Sequence, residues 1–106
     1  MTAQILSLAG AQAPQRRLKF LGFNIKDDAN EPEIKVGDIV LVDLDEKPEE
    51  GKFAIIGAME PEPIIGKFHR KDNTVLIHRL NAESLFLRTE DIHFQARVVS
   101  VNHLLV

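Results

Sequence analysis

Residues 26–43 read Lys26-Asp-Asp-Ala-Asn-Glu-Pro-Glu-Ile-Lys-Val-Gly-Asp-Ile-Val-Leu-Val-Asp43. The stretch begins polar and turn-prone, passes Pro32, tightens at Gly37-Asp38 and becomes the apolar run Ile39 to Val42. A polar loop that enters a β-branched run through a Gly-containing turn predicts a buried strand over residues 38–43. The chain on either side follows the same grammar. Upstream, Leu18, Phe20, Leu21, Phe23 and Ile25 predict a strand within residues 16–25. Downstream, strands are predicted over residues 52–58, 64–70, 74–80, 84–88 and 92–106. Val75 and Ile77 alternate with Thr74, Leu76 and His78 in the clearest of them.

Turn chemistry separates these runs. Residues 44–51 form an acidic segment in which Pro48 stops the preceding strand. Residues 59–63 carry two prolines, Lys71-Asp-Asn has hairpin-turn character, Asn81-Ala-Glu turns the chain again, and Thr89-Glu-Asp makes a corner. Short strands with turn signals every few residues predict a mainly β fold, and few windows show a helical period. Residues 1–15 are expected to form a loosely ordered N-terminal arm. Residues 16–106 are expected to form a single β domain.

Composition narrows the function classes. The 106 residues have room for one core, and 44% apolar with 27% charged content is ordinary for a globular chain. With no Cys, disulfides, thiolate catalysis and Cys-based zinc sites are excluded together. The net charge of −3, with basic residues scattered at Arg16-Arg17-Lys19 and Lys67 to Lys71, speaks against a nucleic-acid surface on this domain. No apolar run is long enough to span a bilayer as a helix, and no signal peptide is expected, so the reading is a cytoplasmic protein. His69, His78, His93 and His103 lack metal-ligand spacing, and the acidic residues of 44–51 lack that of a calcium loop. No cofactor or metal is expected. The six Phe read as core residues.

The stretch around Gly37-Asp38 resembles the active-site segment of the self-cleaving repressor family, the C-terminal domains of the LexA, lambda-type repressor and UmuD-like kind (S24 peptidases). Members carry a sequence close to Asp-Ser-Met-x-Pro-x-Ile-x-x-Gly-Asp-Ile-Val-Leu-Val-Asp. Laid over this chain without a gap, Pro32, Ile34, Gly37, Asp38 and the run Ile39 to Asp43 coincide. The resemblance extends over residues 18–101 through the ordered series of strands, and it implies strongly bent antiparallel strands.

It also implies a Ser–Lys dyad, in which a desolvated Lys acts as base for a Ser hydroxyl. The position of the family Ser is occupied by Ala29, and that of the following Met by Asn30. The family Lys aligns with Gly66, with Lys67 beside it. A one-residue slip turns a strand side chain to the opposite face, so Lys67 reaches such a site only through a bulge at Gly66. Ala9-Gly10 echoes the family's Ala-Gly cleavage bond.

Two functional readings follow from the resemblance. One is a non-catalytic dimerisation or oligomerisation domain of a phage-repressor-like transcriptional regulator, which contacts DNA only through an N-terminal domain absent from this chain. The other is a latent Ser–Lys self-cleaving peptidase with its nucleophile replaced by Ala29, in a pathway of the SOS type. The partners implied are a second copy of the chain, and a RecA filament or an antirepressor. The apolar tail of residues 98–106 is expected to be an exposed edge that needs a partner.

Overall fold

A computed structural model describes residues 3–5, 19–58 and 60–103. They form β1 (Ala3–Ile5), β2 (Phe20–Asn24), β3 (Ile39–Asp43), β4 (Phe53–Gly57), β5 (Ile64–Lys71), β6 (Thr74–His78), β7 (Leu85–Arg88) and β8 (Phe94–Asn102). All eight strands join one antiparallel sheet in the order β1-β2-β3-β8-β4-β5-β6-β7. Among the described residues the only helical element is a single 3₁₀ turn, Thr89–Asp91, and no helix is long and apolar enough to cross a membrane. The mainly β expectation holds.

The alternation of side chains shows how the sheet packs. On β3, Val40 and Val42 are fully buried while Ile39 and Leu41 turn to the other face. On β4 three successive residues, Ala54, Ile55 and Ile56, all have 0% exposure. Neighbours along a strand point to opposite faces, so β4 must be covered on both sides. Ile55 enters a core with Phe23, Val40, Val42, Ile65 and Ala96. Ala54 and Ile56 enter a second core with Phe68, Val75 and Ile77, closed by Leu85, Leu87 and Ile92. The two cores occupy opposite faces of the β4–β5 pair, and the sheet bends to cover each of them.

β8 lies between β3 and β4, but its two ladders cover different halves: residues 94–97 pair with β4 and residues 97–102 with β3, so the apolar tail from Val98 to Asn102 has a ladder on one side only. Val98 and Val101 of this segment pack onto the first core. A register shift opposite Leu41/Val42 leaves Val99 unpaired at 43% exposure, as a bulge does. Residues 104–106 lie outside the described residues. Within residues 1–15, Ala3–Ile5 forms a strand paired with β2. One expectation is corrected: not every Phe is core, for Phe86 is 72% exposed.

One close approach sets a residue requirement in β5. A Cβ built on Gly66 would lie 2.5 Å from Cγ2 of Ile77, 2.9 Å from the His78 carbonyl oxygen and 3.2 Å from Cγ of Arg79. The backbone of β6 leaves no room for it. Gly66→Ala is therefore expected to lower stability by about 1–3 kcal/mol, the usual cost of overpacking, measured as a reduced urea midpoint at unchanged slope.

Candidate functional site

The loop 26–38 is pinched at its neck. Gly37 donates its N–H to the Ile25 carbonyl (2.8 Å), and Ile25 donates to the Asp38 carbonyl (2.9 Å). Gly37 sits at φ 92, a left-handed conformation that side chains disfavour, which is why Gly stands here. Asp38, almost fully buried, accepts from the Lys35 N–H (2.7 Å) and faces Nδ1 of His103 at 2.8 Å. Ile34, 1% exposed, anchors the loop in the first core, a burial worth about 1.5–3 kcal/mol. The Glu31–Pro32 peptide bond in this loop is cis.

Polar tethers hold the tip of the loop against the sheet. Phe68 exchanges hydrogen bonds with Gly51 and Lys52 on the β4 side, so by alternation the N–H and C=O of Ile65 point to the β6 side. There β6 has already parted from β5, whose last pair with it is Lys67–His78. Asn30 fills the gap by donating Nδ2 to the Ile65 carbonyl (2.8 Å). Asn81, in the β6–β7 connection, donates its N–H to the Ala29 carbonyl (2.7 Å) and its Nδ2 to the Asp28 carbonyl (3.1 Å). Asn81 was not among the residues singled out from sequence, although its turn was. The Oδ1 of Asn30 is buried without a hydrogen-bond partner.

Beside this tip lies an open cleft of about 370 Å³ whose walls include Ala29, Asn30, Ile65, Lys26 and Arg79. Ala29 is buried, and its N–H is donated to Oδ1 of Asp27 (3.1 Å). Pairing across Gly66 is regular, with Ala54 opposite Gly66 and Phe53 opposite Lys67, so the strand has no bulge there. Gly66 and Lys67 therefore address opposite faces. The face of Gly66 looks onto Ile77 and the Arg79 stem. Lys67 lies over the Phe53 ring (5.6 Å) and pairs with Glu33 (3.8 Å), partly solvated rather than enclosed in an apolar pocket. The structure thus brings Ala29, Asn30 and Arg79 to one cleft and turns Lys67 away from the face of Gly66. Ala9-Gly10 and Arg16-Arg17 lie outside the described residues.

A family model described as Peptidase S24-like matches residues 9–99. The chain belongs to this family. The match spans most of the sequence, and the bent antiparallel sheet agrees with it. No curated protein matches the sequence. In this S24-like domain the histidines all have local partners: His69 meets Glu50 at 2.7 Å, His78 meets Ser84 at 3.3 Å, His93 contacts the Ala58 carbonyl, and His103 meets Asp38. Among the described residues no group of three His, Asp or Glu converges as a metal site would.

The Asp38–His103 contact has a pH signature. Burial pushes the Asp38 carboxyl up, but the Lys35 N–H, the hydrogen bond with His103 and the nearby positive charge of His103 and Lys35 outweigh it and hold the group below its ordinary range. A carboxyl lowered on folding adds stability above its unfolded value, about 3.9, and loses it as pH falls through the folded value. Asp38→Asn is expected to flatten the decline of stability below about pH 4, compared with the unmodified chain by urea unfolding across pH.

Proposed function

We propose that this domain is a non-catalytic self-association module of a phage-repressor-like transcriptional regulator, working with a DNA-reading domain that the present sequence does not include. The observation that carries the reading is the pairing of Ala29 with Gly66. Where the family's motif sets a nucleophile and a base, this chain has neither a hydroxyl nor an amine, and the space beside Gly66 is filled by Ile77 and Arg79. Arg79 is no substitute base, because a guanidinium stays protonated. The N–H of Ala29, a natural donor to an oxyanion, is taken by Asp27. The fold is kept while each chemical ingredient is missing.

Charge supports the assignment of DNA contact elsewhere. Lys19 pairs with Asp43, Lys67 with Glu33, His69 with Glu50, Arg88 with Glu90 and Arg97 with Glu46, so these basic side chains do not combine into a phosphate-binding face. A module that only pairs copies raises the effective concentration of its attached heads on paired half-sites without touching DNA itself.

Two measurements test this. Sedimentation of the purified chain at tens of micromolar is expected to give a dimer or larger species, and a monomer would remove the reading. Ala29→Ser restores the hydroxyl that the second reading, a latent Ser–Lys peptidase, requires. Its intact mass is expected to stay unchanged after incubation at mildly alkaline pH, with or without a RecA filament. Release of an N-terminal fragment from that variant would establish the latent peptidase instead.

A further inference from the structure

We propose that β7 is the association edge of this domain, through which two copies pair antiparallel with Phe86 opposite the partner's Phe86. The inference rests on the self-association reading above and names its surface. β7 is the outermost strand at its end of the sheet. Its hydrogen-bonding phase is fixed by Thr89, which donates its N–H to the Asn73 carbonyl (2.9 Å). Backbone groups alternate sides along a strand, so Leu87 and Leu85 also turn theirs to β6. Those of Phe86 and Arg88 are left at the outer edge.

The side chains follow the same division. Leu85 and Leu87 pack onto the second core, whereas Phe86 stands 72% exposed next to its cross-strand neighbour Leu76. Together with Thr74 and His69 these two line an open trough of about 490 Å³. Edge strands are guarded by shortness, by charged side chains, by Pro, by a bulge or by an inward-pointing charge, and of these β7 has its four-residue length and Arg88. Residues 85–88 have no Pro, pair with β6 without a register shift, and point only leucines inward.

A second copy fits this edge because the edge complements itself. In a two-fold pairing centred on Phe86, the free groups of Phe86 meet those of the partner's Phe86, and the free groups of Arg88 meet those at Ser84. Leu76, Phe86 and the same two residues of the partner then form one unbroken apolar row. Arg88 lies opposite Ser84 and diagonal to the partner's Phe86, where a cation over an aromatic ring is favourable. No like charges face each other. A pairing centred on Leu87 would instead set the two Arg88 side chains diagonal to one another, which disfavours it.

The chain has no Cys, so Phe86→Cys introduces a single thiol. Opposed residues of a hydrogen-bonded antiparallel pair have Cα atoms about 5.5 Å apart, within the reach of a disulfide. Mild oxidation of this variant is expected to give mostly covalent dimer, and the same treatment of Asp72→Cys, at the exposed tip of the β5–β6 hairpin, is expected to give little. Phe86→Lys is expected to weaken self-association roughly tenfold or more, as loss of a central aromatic anchor does, while the thermal unfolding of the monomer is unchanged. A dimer that persists undiminished in Phe86→Lys and does not crosslink through Phe86→Cys would overturn β7 as the edge and leave the self-association reading standing. A monomeric unmodified chain would remove both.

Discussion

The double-sided burial of β4 is the constraint on which the other features depend. A strand with Ala54, Ile55 and Ile56 all out of water cannot lie on a one-layer surface. It has to be flanked by long partners and covered from both directions, and at about 25 cal/mol per Å² of apolar area that covering is a main source of stability. β5 supplies one flank and contributes Ile65 to one core and Phe68 to the other. Packing β6 tightly on β5 then leaves no Cβ space at residue 66. Where β6 peels away, the Ile65 carbonyl would be stranded, and Asn30 satisfies it. The cleft and the glycine at its wall are consequences of how the central strands are buried.

Much of this was legible from the residues alone. The strand from Ile39 to Asp43, the Lys71–Asn73 hairpin turn and the Val75/Ile77 face follow from local period and turn chemistry, which act over a few residues. Strand order was not legible, because an interior strand and an exposed edge can share one composition. Nothing in the sequence of β8 says that its first half pairs with β4 and its second half with β3, and only those distant ladders decide the matter. The same holds for side chains whose partners lie far along the chain. His103 meets Asp38, and Asn81 meets Asp28 and Ala29, through contacts that no local pattern announces. Phe86 departs from the core expectation for a related reason: alternation gives two faces to a strand but does not say which is wet.

The candidate site separates shape from chemistry. The tip of the loop is held through the carbonyls of Asp28, Ala29 and Ile65 and the N–H of Ala29. None of these contacts uses the side chain of residue 29. Exchanging Ser and Ala at that position therefore removes none of these tethers, and the Gly37–Asp38 neck continues to be selected by the fold itself. This is the physical sense in which the family motif can survive around Ala29: its Gly, Asp and Ile positions serve the backbone turn and the core.

The interior position of β8 also governs the order in which the sheet can be completed. β1, β2 and β3 form one meander, and β4 to β7 form another. Among the described residues the two share no strand ladder except through β8. During synthesis the residues of β8 come last among the eight strands, so until they emerge the open sides of β3 and β4 are both unpaired edges with apolar faces. Joining them requires contacts between residues far apart in sequence, such as Ile39 with Asn102, and such closure is slow compared with forming a hairpin. The insertion of a single nine-residue strand is thus what fuses the two half-sheets into one body.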